Sequence, residues 1–474
     1  MKDKELELKL DQWISAHREE LVEQVIAAVN IKSVAQPDHG AEYPLKECCG
    51  RILEHFKTVG ENYGFPAQIH EYYCTTARMK GLDGRKTIGI FGHADVVPEG
   101  DDWTVDPYDA CVKDGFIYGR GSLDNKGAIV SSLFAMRFLQ EQKYPLKSDV
   151  LLYCGAAEEH GMEDVVYYGK KCGFPDFSIV PDASFPACYG EKGIIELYAE
   201  KKLETGNLVA LEAGHAINIV PNTAVAVLKN VSLGTLREAI GNDTRFTAQE
   251  TASGTEIQAV GQGGHAAFPE QTVNAIGLLV TFLTEHHLLT GQVKTALEMI
   301  GESCADYYGH GLGIAYEDAF SGKTTHVCSK LRLKEGVLTV DYNIRYAVTQ
   351  PEEAMAEQLR QFFWKAGFTV TELDVNPPAY MPLDNPIVSR LVRLAQRVLG
   401  DDHVPYTMGG GTYARKIPNA LAYGPHIQGE VQPGGIGRGS GHQPDECMKI
   451  ENLLNAVKVY ALALIETDEA LYQA

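Results

Sequence analysis

Lys86-Thr87-Ile88-Gly89-Ile90-Phe91-Gly92-His93-Ala94-Asp95 is the stretch on which the reading of this chain turns. A short apolar run stops abruptly at a histidine, with an aspartate two residues on. Apolar runs of this length bounded by polar residues fit fully buried strands of a parallel sheet. Two further runs have the same form: Ser148–Cys154, which leads into Ala157-Glu158-Glu159-His160-Gly161, and Phe177–Val180, which leads into Pro181-Asp182-Ala183. A helix-like segment from Lys126 to about Gln142 lies between the first two, completing a βαβ pattern. Ligands of open α/β sheets bind beyond the carboxyl ends of the strands, so the polar residues after each run are expected to converge.

Outward from that core, Trp13, Ile14, Leu21, Val22, Val25, Ile26 and Val29 recur at helical spacing. After about Lys192 the texture changes to alternating strands, Ile194–Glu200, Thr223–Lys229, Glu256–Gly261 and Val337–Tyr346, with helices clearest at Asn274–Leu288 and Glu352–Ala366. Helical patterns return at Pro386–Val398 and Ile450–Thr467. The expected architecture is α/β, a mostly parallel sheet flanked by helices, with a second α+β domain inserted. Residues 1–191 and 383–474 form the first domain and 192–382 the insert.

The composition narrows the function. With 42 Lys and Arg against 63 Asp and Glu, the net charge is −21, and no basic stripe interrupts it. Such a chain repels phosphate backbones and anionic membranes, so neither nucleic acid nor a membrane is an expected partner. The charged start Met1-Lys2-Asp3-Lys4-Glu5 and ten scattered cysteines without CxxC spacing suggest a cytoplasmic protein with reduced thiols.

The loops after the strands carry metal-ligand chemistry: His93, the Glu158-Glu159 pair and Asp182. Asp124 joins them from Gly119-Arg120-Gly121-Ser122-Leu123-Asp124-Asn125-Lys126-Gly127, and His442 from Gly441-His442-Gln443-Pro444-Asp445-Glu446. Mixed His and carboxylate ligation suits zinc, and also manganese or cobalt. Five ligands with one carboxylate shared would fit two divalent ions about 3.5–4 Å apart. Asp95 is placed to take the other ring N–H of His93. Neighbouring residues of an extended segment point apart, so one of Glu158 and Glu159 can bind metal while the other acts as general base. Any one of these motifs alone reads as a surface pair; the ordered set does not.

That ordered set, together with Gly263-Gly264-His265-Ala266-Ala267-Phe268-Pro269, resembles the co-catalytic metallopeptidase family of aminoacylases, glutamate carboxypeptidases and carnosinases. The likeness runs from about Asp11 to Thr467. Asn218-Ile219-Val220-Pro221-Asn222 and Gly409-Gly410-Gly411-Thr412-Tyr413-Ala414-Arg415 look most like its bacterial PepV-type dipeptidases. The resemblance implies that His93 and Asp182 hold one metal, Glu159 and His442 the other, and that Asp124 bridges them. It makes Glu158 the base acting on a water bound between the metals, makes Asp95 the partner of His93, and expects a cis Asp124–Asn125 peptide. It also makes the insert a lid. From the lid His265 would stabilise the oxyanion beside Asn218, and Arg345 would grip the substrate carboxylate with Gly410, Gly411 and Thr412.

The implied activity is hydrolysis of small unblocked dipeptides. The alternatives are a deacylase of N-acyl amino acids, of acetylornithine or succinyl-diaminopimelate type, and a non-catalytic metal-stabilised binding protein. Dimeric relatives have a shorter lid and receive the oxyanion histidine from the partner chain. An insert of about 190 residues exceeds one such unit, so a monomer is expected here, with a dimer as the alternative.

Overall fold

The computed structural model describes residues 2–38, 40–400, 402–435 and 437–473. The chain divides into two compact units, Met1–Tyr189 with Met381–Tyr406 and Gly411–Ala474, and Gly190–Tyr380 with Thr407–Gly410.

In the first unit, strands run in the order Ala67–His70, Cys74–Met79, Asp149–Gly155, Thr87–His93, Phe177–Val180, Ala420–Ala422. The last four are mutually parallel. Asp149–Gly155 and Phe177–Val180 are buried at every residue, as strands covered by helices on both faces must be. Helix Lys126–Glu141 packs against Ile450–Gln473 and Arg18–Val29, while Glu47–Asn62 packs on Cys74–Met79. Helix Pro386–Leu399 shows why the local sequence folds as it does. Asn385 accepts the N–H groups of Ile387 and Val388, Pro386 sits in the first turn, and Gly400 closes the helix at φ 62.

One expectation needs correction: the sheet is mixed, and its parallel part is the last four strands of that order. Ala67–His70 and Cys74–Met79 pair antiparallel, and Cys74–Met79 lies antiparallel to Asp149–Gly155. The cause is local. Glu71 and Tyr72 both take positive φ, closing a tight hairpin, and a connection that short can only return the chain antiparallel.

The second unit is an eight-stranded sheet in the order Phe246–Thr251, Gly254–Val260, Thr223–Leu228, Leu208–Ala213, Thr325–Lys334, Val337–Tyr346, Gly193–Lys202, Thr369–Asn376. Every neighbouring pair is antiparallel. Burial alternates along Gly193–Lys202, the pattern of a sheet with one face on a core. Helix Ala275–Glu285 packs on that sheet and Glu352–Lys365 packs on its edge strand. Among the described residues no helix is long and apolar enough to cross a membrane.

Candidate metal centre

Three parallel strands deliver side chains to one end of the first unit's sheet. His93 is the last residue of Thr87–His93, Asp182 lies two residues beyond Phe177–Val180, and Glu158 and Glu159 follow Asp149–Gly155. Asp124 and Asn125, joined by a cis peptide, open helix Lys126–Glu141. His442, at φ 65, comes from the loop before Cys447–Lys449.

These residues meet. His93 Nε2 lies 2.9 Å from Asp124 Oδ1 and 3.7 Å from Asp182 Oδ2. His442 Nε2 lies 2.9 Å from Glu159 Oε1 and 3.2 Å from Asp124 Oδ2. Asp124 therefore faces both imidazoles, one through each oxygen. Ligand atoms of His93, Asp124 and Glu159 lie within 4.8 Å of one another, and so do those of His93, Glu158 and Asp182. Glu158 Oε1 is buried with no hydrogen-bond partner.

The electrostatics explain what such a site wants. Burial disfavours a charged His93, yet the bonds to Asp124 and Asp95 hold its pKa well above the ordinary value. His442 is likewise pushed up to about 11, against burial, by Asp124 and Glu159. Burial raises Glu158 well above the usual carboxylate range and raises Glu159 too. Carboxylates this crowded favour the protonated form of their imidazoles. Divalent ions would replace those protons, and the donor set is the His and carboxylate mixture that zinc, manganese and cobalt accept.

Asp95 does more than was read from its spacing. His93 Nδ1 donates to the backbone carbonyl of Asp95 at 3.0 Å, while the carboxylate Oδ1 stands 3.5 Å away. That carboxylate instead accepts the N–H groups of Glu158 at 3.1 Å and Glu159 at 3.0 Å. The orientation of the imidazole is thus set by a carbonyl, and the Glu158-Glu159 turn is held by Asp95.

The second unit holds the other candidates. His265 and Ile219 are paired in a two-residue ribbon, and Ala266 N–H donates to the Asn218 carbonyl at 2.9 Å. His265 Nδ1 accepts the Ala267 N–H at 3.1 Å, which leaves the ring proton on Nε2. Arg345 is buried, its Nε donating to Asn343 Oδ1 at 2.7 Å and its Nη1 to the Gly409 carbonyl at 3.1 Å. Gly410 belongs to this unit, and Gly411 and Thr412 to the first. A side chain at Gly411 would overlap the Arg415 guanidinium, and Thr412 Oγ1 accepts the Ala414 N–H.

Sequence reasoning missed several positioning residues. Asn125 Nδ2 donates to the Pro181 carbonyl at 2.6 Å and to Asp182 Oδ1 at 3.1 Å. Glu446 Oε1 accepts three backbone N–H groups, from Gly121, Leu123 and Asp124. Both sit inside motifs already singled out, and their neighbourhood was the available signal. Asp164, which accepts the Ala156 and Ala157 N–H groups, had none.

The model of peptidase family M20/M25/M40 matches residues 89–466. The chain is 30% identical over 466 residues to the putative dipeptidase YtjP of Bacillus subtilis, covering 95% of this chain and 97% of that one. It is 28% identical to a Beta-Ala-Xaa dipeptidase of Lactobacillus delbrueckii subsp. lactis, covering 97% and 98%. Among solved structures, an M20 family metallo-carboxypeptidase from Sulfolobus solfataricus superposes with a TM-score of 0.60 at 17% identity, covering 95% and 99%. Human carnosine dipeptidase 1 gives 0.58 at 16%, covering 98% and 99%.

Proposed function

This chain belongs to peptidase family M20/M25/M40, and we propose that within it the chain is a metal-dependent dipeptidase acting on small unblocked dipeptides. The observation that carries the reading is the meeting of His93, His442, Asp124, Glu158, Glu159 and Asp182 at one end of the parallel strands. Support for a dipeptide substrate comes from the relatives, two of which bear dipeptidase names.

In this proposal His93 and Asp182 hold one divalent ion, Glu159 and His442 a second, and Asp124 both. Zinc is the first choice, with manganese and cobalt next. Ions held there acidify the attacking water and polarise the scissile carbonyl. Glu158, whose Oε1 has no protein partner, takes the water's proton and passes it to the leaving amine. The second unit is proposed as the lid. Its His265 presents an Nε2–H donor for the developing oxyanion, with Asn218 beside it. Arg345, aligned by Asn343, receives the substrate carboxylate together with Gly410, Gly411 and Thr412. The working state is proposed to be a monomer.

The test is a hydrolysis panel on metal-reconstituted protein with chelator controls. It sets free dipeptides, including β-alanyl ones, beside tripeptides and N-acyl amino acids. Cleavage restricted to unblocked dipeptides and abolished by chelator is expected. Turnover of acylated substrates alone overturns the substrate reading. Glu158→Ala should lose at least about a hundredfold in kcat with bound metal unchanged, and retained turnover would refute the base assignment.

A further inference from the structure

The turn that carries Glu158 and Glu159 is anchored with unusual completeness. Four consecutive N–H groups are taken by two carboxylates: Ala156 and Ala157 donate to Asp164 Oδ2 at 2.7 and 3.0 Å, and Glu158 and Glu159 donate to Asp95. Asp95 and Asp164 are fully buried. Asp164 Oδ1 also accepts the Val165 N–H at 2.7 Å, and Oδ2 receives the phenolic O–H of Tyr413. Tyr413 is itself 1% exposed, set edge-on to the His93 ring with centroids 6.3 Å apart. Gly155 is what makes room, because a Cβ there would overlap both the Tyr413 hydroxyl and Asp164 Oδ2.

We infer that Tyr413 and Asp164 act together as a strut that positions the Ala156–Glu159 turn, and so places the Glu158 and Glu159 carboxylates toward the metals. Asp164 cannot serve as a ligand, since its oxygens are occupied by backbone N–H groups and the phenol. Tyr413 follows directly on Gly411 and Thr412. On the dipeptidase reading, on which this step rests, the strut therefore ties the loop that receives the substrate's carboxylate to the turn that carries the base. Both are positioning residues: neither touches the reacting atoms.

Tyr413→Phe removes one oxygen and keeps the ring. Tyr153→Phe is its control, because that hydroxyl is equally buried, meets only the weakly bonding Cys74 thiol and no carboxylate, and sits on a ring packed against Tyr413 at 5.7 Å. Zinc affinity of the apo-protein is measured by competition with a chromogenic chelator, and kcat and KM on the best dipeptide of the panel. Changes in groups that orient ligands cost about 10–100-fold. Tyr413→Phe is accordingly expected to weaken the weaker zinc site at least tenfold and to lower kcat comparably. KM should stay within threefold, and Tyr153→Phe should match the parent. Affinities and kcat within twofold of the parent would overturn the strut. A parent that cleaves none of the panel would instead sink the dipeptidase reading, and the zinc competition alone would then decide the strut.

Discussion

Replacing Arg120 by methionine should destabilise the first unit far more than loss of a surface ion pair does. Arg120 Nη1 contacts Glu446 Oε2 at 2.6 Å, with side chains 1% and 0% exposed. Breaking a buried pair from one side costs about 3–5 kcal/mol, because the remaining charge stays desolvated. Glu446 keeps three backbone N–H donors on Oε1, which moves the cost toward the lower end. The guanidinium also lies over the Trp103 ring at 5.0 Å, a contact worth about 1 kcal/mol. Together these put Arg120→Met at about 4 kcal/mol. Glu446→Gln retains one acceptor oxygen but leaves Arg120 buried without a counter-charge, and should cost about 3 kcal/mol. The double variant holds no buried charge at this point, so it should cost about 2 kcal/mol less than the sum of the two single changes. Urea unfolding followed by tryptophan fluorescence reads all three, with Trp103 as a reporter against the pair. Additivity within about 0.5 kcal/mol, or an Arg120→Met cost below about 1 kcal/mol, would refute the reasoning. The second would mean that water reaches the pair.

The remaining expectations can be checked in the same preparations. Removing bound metal with a chelator should lower the unfolding midpoint, since ions at a thousand times their Kd contribute about 4 kcal/mol; an unmoved midpoint would mean that the five proposed ligands hold nothing. Gly155→Ala should cost about 1–3 kcal/mol by overpacking and reproduce the Tyr413→Phe loss of kcat, whereas parent-like kinetics would show that the strut has slack. A hydrogen bond from the Cys49 thiol, aided by backbone N–H groups and opposed by burial, pulls the Cys48 thiol down to about 6. The thiolate is the reactive form, so iodoacetamide labelling of Cys48 should be near its plateau at pH 7 and fall away below pH 6. Labelling that still climbs tenfold between pH 7 and pH 8 would contradict this.

Much of the fold was legible because burial imposed a pattern. Thr87–His93 and Asp149–Gly155 read within one residue, since a strand covered on both faces must be apolar throughout. Val337–Tyr346 read to its ends, and Asn274 proved to be the N-cap of Ala275–Glu285. Strands without a one-sided or two-sided apolar pattern were not found. Thr325–Lys334 is buried over its first half but spells Thr-His-Val-Cys-Ser there, mixing polar residues into the core. Thr369–Asn376, at the sheet edge, is half exposed and carries Glu372 and Asp374 among its apolar residues. Ala67–His70 and Cys74–Met79 are held by a turn at Glu71 and Tyr72 that contains none of the usual glycine or asparagine.

The site divides along the same line, and for a physical reason. A ligand must have a particular side-chain chemistry, so the proposed ligands His93, Asp124, Glu159, Asp182 and His442 stand out by type at the ends of elements. A residue that holds a ligand's backbone needs only an acceptor at the right place, and many residues supply one. Asp164 sits eight residues past Ala156 along the chain and meets Tyr413 across 249 residues. Glu446 meets the Asp124 N–H across 322. Such partners are chosen by the closed fold, so no local spacing announces them. They also bear a cost that only the site explains: burial raises Asp164 and Glu446 to about 6. Both are carboxylates whose ionised form the interior disfavours, placed where apolar residues would pack without penalty. They are tolerated because backbone N–H groups converge on them. Those N–H groups belong to the very segments, 121–124 and 156–157, from which or beside which the side chains of the candidate metal centre project.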